Sequence, residues 1–452
     1  HSQNEPQPNQ RIVMRALYWF REDLRLRDNP ALTAMTDQAE EAAYVFVVPS
    51  TNRWSRGAER MGIHRRRFML ESLAGLDAAL QEQGQRLLVL EGDPVEEVLK
   101  IASQLGCQAV YSQQCHATEE LRSAAAVRLH IPHHCHEGAT LVHPEDLPFS
   151  VKDLPEVFTH FRKKIEKNGL VVREELPVPV LPKSPKKIAD FSYAFGMSRF
   201  KMPERLAGLP ISAMQFTGGM QTGWDRLEHY FWKTRALSGY KQTRNGMMGW
   251  DYSSKFSPWL AWGCIGPRSI YHAIRQYEEE VGANESTYWL IFELLWRDYF
   301  RFIAMQHGDR IFSVNGLKEA PRTPVSHHPL QWKAWCAGTT RSAFVNANMH
   351  ELRLTGFMSN RGRQNVASYA VHDLGLDWRA CAAWFEHWLI DFDPCSNTGN
   401  WLYVAGIGND PRPQRKFDIE WQASRYDEAG AFQAHWNQQG GIFPCAPESI
   451  PT

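Results

Sequence analysis

Four short apolar runs, spaced so that helical patterns fit between them, constrain this chain more than any other feature. They are "RALYWF" (15–20), "AAYVFVV" (42–48), "RLLVL" (86–90) and "CQAVYS" (107–112). Runs this short and this continuously apolar suit strands covered on both faces of a parallel sheet. Between the second and third lies "HRRRFMLESLAGLDAALQEQG" (64–84), a helical pattern. That rhythm implies βαβ units and a doubly wound sheet. No G-x-G-x-x-G follows the first run, so the dinucleotide fingerprint common in such sheets is absent. The α/β domain is expected over 11–140. It follows a polar tail, "HSQNEPQPNQ" (1–10), which lacks an initiator Met and reads as a processed or added segment.

The Pro- and Lys-rich stretch "EELPVPVLPKSPKK" (174–187) reads as an extended connector, within an interdomain segment expected over 141–223. From about residue 224 long helical patterns take over, and 15 of the 17 Trp lie in that part. The expected fold class is therefore an α/β N-terminal domain with a doubly wound parallel sheet plus a C-terminal all-α domain over 224–452. The aromatic content admits two readings, a large aromatic core or a pocket for a flat conjugated ligand or stacked bases.

The charges balance, 50 basic against 50 acidic residues, so no global field steers the chain to nucleic acid. An anionic partner must be held by a local patch. The eight cysteines never form C-x-x-C, which argues against a zinc or iron–sulfur site and suits a reducing cytoplasm. No apolar run approaches a membrane span and no signal-peptide pattern is visible, so a cytoplasmic protein with no membrane partner is expected.

Several constellations carry chemistry. In "STYWLIFELLWRDYFRF" (286–302), Glu293, Trp296 and Arg297 fall at i, i+3 and i+4 and share a helix face. They read as a surface ion pair or as a ligand wall; their apolar neighbours on nearly every side favour burial. In "DYSSKFSPWLAWG" (251–263), Ser253, Ser254, Ser257 and Lys255 precede a helix and offer hydroxyls, N–H groups and a cation to a phosphate. The alternative there is an ordinary capped helix start. "SNRGRQN" (359–365) brings Asn360, Arg361, Arg363 and Gln364, either a solvated basic turn or phosphate ligands, with Arg363 able to pair with an aspartate downstream. "DFDPCSNTGNW" (391–401) supplies Asp391, Asp393 and Asn397. A calcium loop is ruled out by Cys395, Ser396 and Leu402 at its fifth, sixth and twelfth positions. Two aspartates this close on one segment seldom straddle a glycoside. A ring with N–H donors and heteroatom acceptors would use carboxylates and an amide well.

Together these stretches resemble the photolyase/cryptochrome family, in particular its cryptochrome DASH branch. The resemblance rests on "YWFREDLRLRDNPAL" (18–32), "TLVHPEDLPF" and "LPEVFTHFRKKIE" (within 140–166), and "YKQTRNGMMGWDYSSKFSPWLAWG" (240–263). It continues through "FELLWRDYFRF", "NANMHELRLTGFMSNRGRQNVASY" and "CSNTGNWLYVAGIGNDPR" and spans roughly residues 15 to 430. It implies flavin adenine dinucleotide (FAD) in the helical domain. Tyr240, Ser253, Ser254, Lys255, Phe256 and Ser257 would cradle the diphosphate, with Arg297 facing it. Arg363 would pair with Asp391 at the ring edge, Asp393 would accept from the imide side, and Asn397 would sit near the reactive ring nitrogen. Methenyltetrahydrofolate, the family's usual antenna, would be held by Glu119 of the α/β domain. No metal is implied.

The implied reaction is light-driven splitting of cyclobutane pyrimidine dimers in DNA by an electron from the excited reduced flavin. Glu293 would hydrogen-bond the dimer, Trp296 would stack on it, Asn360 would contact it, and Arg244 and Arg361 would take backbone phosphates. The family's electron relay maps to Trp401 and Trp378, but its third position is Val325. Thr398 stands where an aromatic is usual, and Asn346 where Asp is. Gln364 and Tyr403 stand where relatives acting on duplex DNA tend to carry Met and Trp, which implies a preference for single strands. The competing readings are a blue-light photoreceptor signalling through an unknown partner, and a helical nucleic-acid binder without cofactor.

Overall fold

A computed structural model describes residues 13–49, 59–203, 216–319, 328–412 and 415–439. The polar tail and Val325 lie outside the described residues. Five strands form one all-parallel sheet: β1 (Arg15–Trp19), β2 (Glu41–Pro49), β3 (Leu87–Gly92), β4 (Ala109–Gln113) and β5 (His133–His136). Their order is β3-β2-β1-β4-β5, a doubly wound arrangement. Alternate side chains of each strand enter different cores. Leu17, Trp19, Val45, Val47, Leu88 and Leu90 pack with Ile101 and Leu105 of the helix Pro94–Leu105. Tyr18, Phe20, Tyr44 and Phe46 face the other way, into a core continuous with that of the helical region. Both faces are covered, which is why these strands read as unbroken apolar runs.

Strand β5 gave no such run. Its sequence is "HHCH", it lies at a sheet edge, and it is poorly covered, with His134 exposed and Cys135 and His136 half-buried. His133 is nevertheless buried, within 2.8 Å of Ser112 Oγ. The Pro-rich stretch at 174–187 is extended and fastened to the α/β part: Ala42 N donates to Lys183 O at 2.9 Å and Asp28 N to Leu176 O at 2.8 Å.

Helices dominate from residue 220 onward. The longest, Glu285–His307, starts at a reciprocal cap between Asn284 and Thr287 and buries most of its circumference. The helix Pro394–Val404 starts at Asp393, whose side chain caps it. It crosses Glu285–His307 closely at Gly399, where a Cβ would collide with the Phe300 ring. This crossing brings the Asp391–Asn397 segment beside Glu293 and Arg297. Among the described residues no helix is long and apolar enough to cross a membrane.

Candidate functional site

A cavity of about 300 Å³ opens between the helices Glu285–His307, Asn360–Ser368 and Pro394–Val404 and the segment 253–257. Its wall includes Tyr240, Arg244, Ser253, Ser254, Lys255, Phe256, Ser257, Glu293, Arg297, Asn360, Arg363, Gln364, Asp391, Asp393, Asn397 and Trp401. Leu290, Leu294, Met358, Phe385 and Leu389 supply apolar surface between them. Residues spread over more than 160 positions of sequence thus meet in one space.

The polar edge is organised by ion pairs. Arg363 Nη2 stands 2.6 Å from Asp391 Oδ2, and its Nη1 stands 3.1 Å from Oδ1, a two-pronged contact. Ser257 Oγ donates to the same carboxylate at 2.6 Å. Asp393 pairs with Arg301 and accepts from Ser396 N at 2.7 Å. Burial would raise the Asp393 pKa, but the guanidinium charges of Arg301 and Arg297 outweigh it and hold the carboxyl below its usual range. Asn397 donates to Ala382 O at 3.2 Å. Near the cavity mouth Arg244 Nη1 lies 2.9 Å from Glu293 Oε1. Burial pushes the Glu293 carboxyl upward, with Arg244 opposing.

Two cations in this wall differ from the rest. Among the described residues, Lys255 and Arg297 have no carboxylate within ion-pair distance. Lys255 is buried, takes the left-handed backbone conformation at φ 55°, and places Nζ 3.5 Å from the Tyr252 ring centroid. Burial lowers its pKa to about 7. Arg297 donates to Ala139 O, and burial lowers its pKa to about 10. A cation held in such a wall without an ion-pair partner is costly, and an anion entering the cavity would offset that cost. Apolar walls, a carboxylate-and-amide edge and two unpaired cations together fit a flat, N–H-bearing ring system that carries phosphates.

Other residues singled out from the sequence lie elsewhere. Trp296 stacks on Phe158 at 3.8 Å and meets Tyr403 edge-on at 5.7 Å. Arg361 donates to Asn245 and Gln364 and lies over Tyr426. Trp378 is buried, its indole N–H donating to Val314 O at 3.2 Å. Glu119 is held bidentately by Arg60 at 2.7 and 2.8 Å, and Arg60 also donates to Glu386 at 3.0 Å. Sequence reasoning passed over Arg301, His116 and Glu137. Arg301 had a readable signal, since it falls four residues after Arg297 in the quoted helix. His116 and Glu137 had none, because only the fold brings them behind Arg301.

Comparisons with known proteins bear on the fold and the family. The model of DNA photolyase matches residues 16–183, and that of the FAD binding domain of DNA photolyase matches residues 289–440. The cryptochrome DASH of Gloeobacter violaceus is 44% identical over 93% of this chain and 85% of its own length. That of Xenopus laevis is 44% identical over 92% and 81%. The crystal structure of a Synechocystis cryptochrome superposes with a TM-score of 0.84 at 42% identity, covering 94% of this chain and 89% of that one. The chain belongs to the photolyase/cryptochrome family, in its cryptochrome DASH branch.

Proposed function

We propose that this family member is a light-driven lyase that splits cyclobutane pyrimidine dimers, with single-stranded DNA preferred. One observation carries the reading: Glu293, Asn360 and Gln364 open into the same cavity as Asp391, Asp393, Asn397 and Arg363. A lesion at the mouth and an FAD ring on the floor would share one enclosed space. Bound reduced FAD supplies, under blue light, the electron that opens the dimer and is returned afterwards.

The chain's own share is binding, orientation and exclusion of water. Ser253 to Ser257, Lys255 and Arg297 are assigned to the diphosphate, and Tyr240 and Phe256 to the wall beside it. Asp391 with Arg363, Asp393 and Asn397 are assigned to the ring edge. Glu293, whose burial favours the protonated carboxyl, is assigned a hydrogen bond to a pyrimidine carbonyl. That role requires Arg244 to release Glu293, and a DNA phosphate beside Arg244 offers it another partner. Arg361 is assigned a second phosphate. Extruding the dimer costs least from an already single strand. A folate antenna is proposed at Glu119, where Arg60 joins the α/β part to Glu386 of the helical part.

The photoreceptor reading keeps one observation in its favour. Arg244 closes on Glu293 and Phe158 covers a face of Trp296, so two lesion-reading groups are occupied by neighbours. The test is blue-light irradiation of the reduced, FAD-loaded protein with a dimer-bearing oligonucleotide. Dimer loss that is slowed by Glu293→Gln supports the lyase. No dimer loss, with FAD bound and reduced, overturns it in favour of the photoreceptor.

A further inference from the structure

Arg301 lies one turn beyond Arg297 and is only 2% exposed. It is not part of the cavity wall, yet its guanidinium meets groups from three separate stretches of chain. It pairs with Asp393, lies 3.8 Å from Glu22 Oε2 and stands 3.3 Å from His116 Nδ1. A guanidinium only donates, so His116 Nδ1 must accept and the ring proton sits on Nε2. That proton is given to Glu137 Oε2 at 2.6 Å. Glu137 is fixed in turn by Ala139 N at 2.9 Å and Thr140 N at 3.1 Å, both donating to its other oxygen. A continuous series, Glu137, His116, Arg301, Asp393, therefore crosses from the α/β part to the ring edge of the cavity.

We propose that Arg301 is a positioning residue for FAD recognition: it holds the Asp393 carboxylate ionised and aimed, while His116 and Glu137 hold Arg301. The inference rests on the reading of the cavity as an FAD site. The physical reason lies in the donor count. An ionised carboxylate accepts only, and so suits a ring N–H; a protonated one also donates. One oxygen of Asp393 is fixed by Ser396 N and the other by Arg301, which leaves the remaining lone pairs in defined directions. Without Arg301, burial favours the protonated acid. His116 closes the far side, since an imidazole nitrogen that accepts from Arg301 limits where the guanidinium can turn.

The experiment measures FAD dissociation constants in the full chain for wild type, Arg301→Met, Arg301→Lys, Asp393→Asn and the double variant Arg301→Met/Asp393→Asn. Arg301→Met is expected to weaken binding about tenfold, equivalent to about 1.4 kcal/mol, and Arg301→Lys less. Because Arg301 acts through Asp393, the double variant is expected to bind no more weakly than Asp393→Asn alone. FAD binding by Arg301→Met should also acquire a pH dependence that the wild type lacks, as Asp393 takes up a proton. Losses that multiply in the double variant, or unchanged binding in both Arg301 variants, overturn the inference. If Arg301→Met fails to fold, Arg301→Lys alone with and without Asp393→Asn decides the same question. Failure of the wild type to bind FAD would instead remove the cavity reading on which the inference stands.

Discussion

Trp296 lies face to face with Phe158, ring centroids 3.8 Å apart and planes within 13° of parallel. One indole face is thus already covered, and Tyr403 meets the ring edge-on. A pyrimidine dimer can stack only on the opposite face or after Phe158 withdraws. Base–aromatic stacking is worth about 1–3 kcal/mol by alanine substitution. Trp296→Ala should therefore weaken binding of a dimer-bearing single strand and leave an undamaged strand nearly unaffected. Binding titrations of the two oligonucleotides check this; equal losses on both would remove Trp296 from lesion recognition.

Lys255 separates stability from function. It is buried beside the Tyr252 ring and has its pKa lowered to about 7. Replacing a buried charge by an apolar group of similar volume is often stabilising, by about 1–4 kcal/mol where a whole pair is replaced. Lys255→Met should raise the denaturation midpoint of FAD-free protein and weaken FAD retention together. A variant that loses stability without FAD would contradict the view that this cation awaits an anion.

Acid sensitivity should trace partly to Glu137. His116 and the Ala139 N–H outweigh burial and pull its pKa down from 4.5 to about 2. A depressed carboxylate pKa stabilises the fold fully above the unfolded value and loses that stabilisation as pH falls through the folded one. The window is pH 4.5 down to about 2, and the shift corresponds to about 3 kcal/mol at about 1.4 kcal/mol per unit. Urea denaturation across that window should show a steeper acid loss for wild type than for Glu137→Gln. Parallel curves would mean that Glu137 carries no such linkage.

The described aromatic side chains offer a route for photoreduction of bound FAD. Trp401 lines the cavity and lies 6.2 Å from Trp335, which lies 5.9 Å from Trp332. Trp384 follows at 6.3 Å and half-buried Trp388 at 5.6 Å beyond it. The relay expected from the family resemblance runs instead from Trp401 to Trp378. Blue-light reduction of bound FAD with an external donor, compared for Trp401→Phe, Trp332→Phe and Trp378→Phe, separates the two. Trp401→Phe should abolish it. Slowing by Trp332→Phe but not Trp378→Phe assigns the aromatic series; the reverse result assigns the other path.

Much of this was legible because its signals are local. Strands β1 to β4 are apolar runs, and the helical spacing of Glu293 and Arg297 matches their place on one cavity wall, while Trp296 turns to Phe158 instead. Strand β5 was not legible, since an edge strand of "HHCH" carries no apolar pattern. The partners of the site residues were hidden for a different reason. That Arg244 meets Glu293 and Trp296 meets Phe158 depends on helix crossings, one of them set by Gly399 against Phe300, and spacing along the chain does not encode these. The Arg301–His116 contact joins residues 185 positions apart, and His116 carries no signal of it in the sequence.

The preference for single strands is the sharpest consequence of the account. Gln364 opens into the cavity, and its carbonyl accepts from Arg361 at 3.1 Å. Tyr403 keeps its hydroxyl on Arg415 at 3.0 Å. Gln364 presents polar atoms that an extruded dimer would have to desolvate, and extrusion from a duplex already costs a few kcal/mol. The decisive measurement is the rate of dimer repair by the reduced, FAD-loaded protein under blue light, on single-stranded and duplex versions of one oligonucleotide at fixed salt. The account predicts rapid repair of the single strand and little of the intact duplex; comparable rates on the two, or no repair of either, would contradict it.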